Sequence, residues 1–90
     1  MRSMVTRYGQ EVLLYVAANE NTSKRYFVYK LVGDTAKTVC TSGGVLIEYD
    51  AITGYDIGEQ PDGVWCITLA SNGEIKRLRS SNSGLAWIEA

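Results

Sequence analysis

Apolar and polar residues along this chain alternate over short stretches, with a repeat close to two residues. The clearest stretches are Glu11–Ala17, Arg25–Val32 and the first half of Val64–Arg79. Each is rich in β-branched and aromatic residues, and none repeats its apolar positions with the 3.6-residue period of a helix. The pattern therefore predicts β-strands. Shorter runs of the same kind add strands at Lys37–Thr41, Val45–Tyr49 and Leu85–Ala90.

The segment Val64–Arg79, VWCITLASNGEIKRLR, predicts a β-hairpin. Asn72 and Gly73 both tolerate the positive φ that a two-residue type I′ turn requires. With that turn, Cys66 lies opposite Arg79 and Thr68 lies opposite Arg77. One face of the hairpin is then apolar and belongs to the core; it carries Trp65, Ile67, Leu69 and Leu78. The arginines project from the other face, together with Val64 and Ile75.

Arg25–Val32 differs from a simple surface strand because neither of its faces is purely polar. Tyr26, Val28, Lys30 and Val32 share one face, and Arg25, Phe27, Tyr29 and Leu31 share the other. A strand of this kind has one face in the core, while a neighbour, a partner chain or a ligand partly covers the other.

Turn residues recur between all these stretches, and 90 residues are enough for one domain, residues 1–90. We predict an all-β fold, a small antiparallel β-barrel or β-sandwich of about six or seven short strands. The segment between Asp50 and Gly63 is predicted to be a long loop, with room for a short helix at Asp50–Asp56.

Catalytic chemistry has few candidate residues here, because the chain contains no histidine and only two cysteines. Histidine is the commonest general base and metal ligand, so most catalytic and metal-dependent mechanisms are disfavoured. Cys40 and Cys66 lie between apolar neighbours, without a CxxC motif, and are predicted to be buried free thiols. We therefore expect a non-enzymatic protein without a cofactor or metal.

Charge is distributed unevenly although the net charge is only −1. Five acidic residues fall between Glu48 and Asp62, whereas basic residues cluster just after the Asn72-Gly73 turn. Arginine pairs with carboxylates or phosphates, and tyrosine is enriched at interface centres, so residues of these types are the best candidates for contact. The predicted binding residues are Arg77, Arg79, Lys76, Arg25, Tyr26 and Tyr29.

These features favour a stoichiometric binding protein that acts on a protein partner and forms a homo-oligomer. Small proteins of this kind are often inhibitors or accessory factors, including phage-type inhibitors of host defence. One alternative is a nucleotide or other small-molecule binder, a sponge that uses arginine and aromatic stacking between subunits. A nucleic-acid-binding β-barrel is another, which the acidic pI disfavours. No apolar run is long enough to span a membrane and no signal peptide is evident, so we expect a cytoplasmic protein without membrane contact.

Overall fold

The computed structural model describes residues 1–90, and its regular structure consists entirely of β-strands. These form two antiparallel sheets that pack face to face as an open sandwich, without closing into a barrel. The first sheet contains β1 (Arg2–Val5), β2 (Glu11–Ala18), β3 (Arg25–Leu31), β4 (Lys37–Thr38) and β5 (Glu48–Tyr49). The second contains β6 (Ile52–Glu59), β7 (Trp65–Ser71), β8 (Glu74–Ser80) and β9 (Ile88–Glu89). The all-β prediction is confirmed.

Each sheet follows the chain almost in order, so neighbouring strands are joined by short turns. The first sheet has the order β1-β2-β3-β4, with β5 also pairing with β3, and the second has the order β6-β7-β8-β9. The short strands β4 and β5 therefore share one edge of β3. Because every regular element is a strand, no membrane-spanning helix is present.

The β7–β8 hairpin has the predicted register. Asn72 and Gly73 have φ angles of 50° and 80°, as a two-residue turn of this type requires. Cys66 pairs with Arg79 and Thr68 pairs with Arg77. The face predicted to be apolar is buried, with Trp65, Ile67, Leu69 and Leu78 each 3% exposed or less.

Both sheets contribute side chains to the core that lies between them. Its twelve buried members are Val12, Leu14, Phe27, Tyr29, Val39, Tyr49, Ile57, Trp65, Ile67, Leu69, Leu78 and Trp87. The Tyr29 ring packs edge-on against Trp65 and Trp87, with ring centroids 6.2 and 6.4 Å apart. The Tyr29 hydroxyl and the Trp87 indole both donate to the Gly84 carbonyl, at 2.7 and 3.0 Å. This carbonyl thus ties the first sheet to the loop that follows β8.

The segment predicted as a long loop, from Asp50 to Gly63, is instead mostly the strand β6, and it contains no helix. Ile57 faces the core and pairs with Ile67 of β7, so cross-strand packing outweighs the loop signal of Thr53-Gly54. Between Ile52 and Gly54 the register of β6 against β7 shifts by one residue, as at a β-bulge. Asp56 and Glu59 are consequently strand residues.

Four further predictions need correction. The strand predicted at Lys37–Thr41 shortens to β4, because Cys40 makes only an isolated bridge to Leu46. The strand predicted at Val45–Tyr49 shortens to β5, because Val45 closes a turn with Thr41 and Leu46 makes only an isolated bridge to Cys40. The C-terminal strand shortens to β9, although Trp87 is docked in the core as the apolar ending requires. Cys40 and Cys66 are free thiols as predicted, but both are half-buried and not buried.

Arg7 joins the two sheets at the end where the β1–β2 and β6–β7 turns meet. Its backbone N–H and its Nε both donate to Oε1 of Glu59, at 3.0 and 3.2 Å. Its Nη2 donates to the carbonyls of Gln60 and Pro61. These contacts hold the guanidinium through Nε and Nη2, so Arg7 is a structural residue.

Candidate functional site

The outer surface of the second sheet carries the two arginines predicted for binding. Alternate residues of β8 point away from the core, so Arg77 and Arg79 lie on the same side as Ile75, while Leu78 is buried beneath them. Ile88 of β9 pairs with Arg79 and is also exposed. We call the set Ile75, Arg77, Arg79 and Ile88 the arginine face.

The side chains beside the arginine face are small apart from one acid. Across β7 and β6, the neighbours on the same surface are Cys66, Thr68, Ala70, Gly54, Asp56 and Gly58, and Thr68 separates Asp56 from Arg77. Ion pairs in the structure involve Arg7 and Lys76, and the arginines that donate hydrogen bonds from their side chains are Arg2 and Arg7. The guanidinium groups of Arg77 and Arg79 are therefore unpaired and uncovered.

The predicted binding residues do not form one surface. Arg77 and Arg79 lie together, but Lys76 is on the other side of β8, where its amino group lies 3.6 Å from both Glu74 and Glu89. Arg25 and Tyr26 belong to the first sheet. Tyr29 is only 4% exposed and packs in the core, so it is not available for contact. The sequence could not separate these residues, because it does not show how the two sheets pack.

A cleft of about 570 Å³ adjoins the arginine face. It lies between Arg79, the turn residues Thr41 and Ser42, the β6–β7 turn and the segment from Ser81 to Glu89. Its wall is partly apolar, with Val64, Ala86, Trp87 and Ile88. Its charged residues are Arg79, Asp62 and Glu89, so one acid is in excess. The cleft therefore suits a mixed, partly apolar group better than a compact polyanion.

The outer surface of the first sheet has an apolar centre, which the sequence indicated only through the two-sided pattern of Arg25–Val32. Register places Tyr15 beside Val28 and Ala17 beside Tyr26, with Leu13 one row further along β2. None of these five side chains belongs to the core cluster or packs against it, yet Val28 is only 8% exposed. The five shield one another on the outside of the sandwich. We call Leu13, Tyr15, Ala17, Tyr26 and Val28 the tyrosine face.

The pKa values of two buried tyrosines, Tyr29 and Tyr49, are raised above the ordinary value. Burial, followed by its hydrogen bond to Glu89 at 3.1 Å, raises the pKa of Tyr49. Burial raises the pKa of Tyr29, with smaller contributions from Cys40 and Asp34. Both phenols face the core and not the arginine face, so their shifts reflect packing between the sheets.

The cysteines contact neutral neighbours. Sγ of Cys40 lies 3.2 Å from the Thr38 hydroxyl, and Sγ of Cys66 accepts from the Gln60 amide at 3.6 Å. Neither contact supplies a base, which an activated thiol requires. No group of three histidine, cysteine or acidic side chains is arranged to hold a metal ion.

No protein-family model, curated protein or solved structure matches the chain.

Proposed function

We propose that this chain is a non-enzymatic binding protein whose arginine face attaches to acidic and apolar side chains of a protein partner. The observation that carries the proposal is the pair of unpaired guanidinium groups on an uncovered sheet, flanked by Ile75 and Ile88, which are 69% and 67% exposed. Arginine beside exposed aliphatic side chains is a composition enriched at protein interfaces.

The spacing of the arginines specifies the partner's chemistry. Residues two apart on a strand are separated by about 6.5 Å, so Arg77 and Arg79 can each hold one carboxylate in a bidentate pair. A partner with two carboxylates at similar spacing fits this pair. Ile75 follows Arg77 at one end of the row and Ile88 lies beside Arg79 on β9, so both would contact apolar side chains next to those carboxylates. The cleft beside Arg79 offers room for one further side chain.

A nucleotide or nucleic acid fits this surface less well. Base recognition without sequence preference depends on stacking against exposed aromatic rings. The arginine face has no aromatic side chain, and the ring that lines the adjoining cleft, Trp87, is only 1% exposed. Both acids of the cleft would also repel phosphate. These observations favour the protein partner over the nucleotide and nucleic-acid alternatives.

An affinity capture experiment tests the proposal. The double variant Arg77→Glu/Arg79→Glu should lose the proteins that the wild type retains from a lysate, because carboxylates would face carboxylates. The matched control is Lys24→Glu/Lys37→Glu, which makes the same change in net charge at two exposed positions, one just before β3 and one in β4. The control should retain the same proteins as the wild type.

Equal loss from both double variants would show that net charge, and not the arginine face, governs binding. Capture that disappears after nuclease treatment, with affinity falling steeply as salt is raised, would support the nucleic-acid alternative instead. Once a partner is identified, its activity with and without one equivalent of this protein tests the further proposal that the binder is an inhibitor.

A further inference from the structure

We infer that the protein forms a two-fold symmetric dimer in which the tyrosine face of one copy packs against the tyrosine face of a second copy. This surface is on the first sheet, so the inference goes beyond the proposed function, which concerns the second. Three properties of the tyrosine face support the dimer: its apolar extent, its tyrosines and the order of the charges at its ends.

The apolar surface extends beyond the five residues that define the tyrosine face. Val5 pairs with Glu11 at the end of the same surface, and the Val32 N–H donates to the Glu11 carbonyl on the other side. Val5 and Val32 are 67% and 58% exposed. Glu11 lies between these two valines, so they extend the patch only along its margins, next to Leu13. Apolar side chains grouped on one face of a sheet mark interaction sites. No strand of the chain covers the patch, because the patch lies on the outer side of the first sheet and the second sheet packs against the inner side.

The side chains at the centre of the tyrosine face suit a sheet-to-sheet contact. Tyr15 and Tyr26 are half-buried. Tyr15 lies opposite Val28 on β2 and Tyr26 lies two positions before Val28 on β3, and Val28 itself is shielded from water. Tyrosines bring large contact area with little loss of conformational freedom and are enriched at the centres of interfaces. Two such surfaces can interdigitate at the roughly 10 Å spacing of packed sheets.

The order of charges identifies a second copy as the occupant. Lys30 lies at one end of the tyrosine face, beside Leu13, and Glu48 lies at the other end, beside Tyr26. A two-fold axis that crosses the strands at the level of Val28 exchanges these ends. Because this rotation keeps each strand over its own counterpart, Lys30 of each copy then lies over Tyr26 of the other. Glu48 is on the neighbouring strand, about 4.8 Å to the side, which a lysine side chain can reach. An axis along β3 would place Lys30 against Lys30, so charge repulsion disfavours that arrangement relative to the crossing axis.

Both charges have unused capacity for this contact. Lys30 is half-buried and takes part in none of the ion pairs within the chain. Oε2 of Glu48 accepts from Asn19 at 3.0 Å and from Thr22 at 2.7 Å, which fixes the carboxylate and leaves Oε1 free. The Glu48 carboxylate is thus pre-oriented to accept from the lysine of a second copy.

The dimer also places the two arginine faces on opposite sides of the assembly. Each arginine face lies on the sheet that the dimer contact does not use, so both stay exposed. A partner that presents two copies of its binding site, or two partner molecules, could then be held at once. Two linked sites would strengthen attachment to a multivalent partner without any additional contact.

Sedimentation equilibrium of the purified protein tests the dimer. The wild type should show twice the 9.9 kDa chain mass at micromolar concentration. Tyr15→Lys should raise the dimer dissociation constant about 30-fold, because it places a charge at the centre of the apolar contact. Tyr8→Lys is the matched control, since Tyr8 is 82% exposed in the β1–β2 turn, and it should leave the constant unchanged.

A charge swap tests the orientation. Lys30→Glu and Glu48→Lys should each weaken the dimer about tenfold, and the double variant should recover most of the affinity because the pair is restored in reverse. Near-ultraviolet circular dichroism of each variant confirms that it is folded. A wild type that stays monomeric at 1 mM, or a dimer insensitive to both Tyr15→Lys and the single swaps, would overturn the inference. Arg77→Glu/Arg79→Glu should still dimerise, which separates this outcome from that of the proposed function.

Discussion

The outer surfaces of the two sheets differ in the side chains that surround the residue at the centre of each surface. On the first sheet, Val28 sits beside Tyr15 and is only 8% exposed, although no other layer covers it. On the second, Thr68 sits between Asp56 and Arg77 and remains half-exposed. Sheets of similar construction thus present one surface that excludes water by lateral packing and one that stays hydrated.

The difference originates in the strand sequences. In β3, RYFVYKL, large apolar or aromatic residues occupy both alternating sets of positions, so both faces exclude water. In β8, EIKRLRS, the residues that point inward include the core residue Leu78, whereas the residues that point outward include both arginines. On β6, two glycines leave the arginine face without bulky neighbours. Self-association is therefore expected of the first surface and charge-directed binding of the second.

The largest effect is expected at Gly84, which holds the two sheets, and hence the two surfaces, in a fixed relation. A Cβ at Gly84 would lie 2.8 Å from a Trp65 ring carbon and 3.1 Å from a Tyr29 ring carbon, at a φ of +86°. Gly84→Ala should therefore lower the free energy of unfolding by about 3–4 kcal/mol, measured by urea titration.

The control for this change is Gly54→Ala beside the arginine face. A Cβ at Gly54 meets no atom within 4 Å and its φ is not positive, so stability should stay within about 0.5 kcal/mol of the wild type. A similar loss for both variants would mean that strand glycines, and not the contact between the sheets, limit stability.

The contrast between the two surfaces can be tested directly with one substitution in each. Val28→Asp places a carboxylate in the shielded centre of the tyrosine face and should cost about 3 kcal/mol of unfolding free energy. Thr68→Asp introduces the same group on the hydrated surface between Asp56 and Arg77, whose charges oppose each other, and should cost about 1 kcal/mol, mainly because aspartate fits strands poorly.

Urea unfolding at two protein concentrations measures both variants and separates loss of monomer stability from loss of the dimer. Equal losses at Val28 and Thr68, independent of concentration, would show that the two surfaces do not differ in how strongly they exclude water.

Local patterns in the sequence were sufficient for the strands with the strongest alternation. The register of β7–β8 follows from Asn72-Gly73 alone, because a two-residue turn fixes every pair that follows it. The alternation in Glu11–Ala17 and Arg25–Val32 likewise identified β2 and β3, which form the centre of the first sheet.

Long-range packing decided what the sequence could not show. Thr53-Gly54 made the start of β6 resemble a loop, and pairing with β7 keeps the strand extended. Tyr29 and Tyr26 lie three positions apart and point to opposite sides of β3, but which side faces the second sheet depends on how the sheets pack. That choice buried Tyr29 and left Tyr26 on the outer surface. The candidate site was therefore predictable only where two residues share one hairpin, as Arg77 and Arg79 do.

A smaller effect is expected from single hydroxyl groups on the inner and outer sides of the first sheet. Tyr29→Phe removes the bond to the Gly84 carbonyl and should cost about 1 kcal/mol, since Trp87 still donates to that oxygen. Tyr15→Phe, on the tyrosine face, removes a hydroxyl without an acceptor in the chain and should cost less than about 0.5 kcal/mol in the monomer. Thermal unfolding at low protein concentration compares them, and a greater loss for Tyr15→Phe would reverse the assignment of inner and outer sides.

Tyr49 is expected to have the smallest effect at neutral pH, and this effect grows in alkali. The Tyr49 hydroxyl donates a hydrogen bond to Glu89 of β9 and so links the first sheet to the strand that carries Ile88. The pKa of Tyr49 is raised above its ordinary value of 10.0, chiefly by burial, so the folded protein holds this proton more tightly than the unfolded chain does. The stabilisation is complete below pH 10 and is lost as the pH rises towards the folded pKa, because the unfolded chain ionises first. Urea unfolding measured from pH 8 to pH 11 should therefore show stability falling above pH 10. Tyr49→Phe should make that fall shallower while the tyrosine face and the arginine face keep their relative positions. Parallel pH curves for the variant and the wild type would instead place the alkaline loss of stability in groups outside this contact.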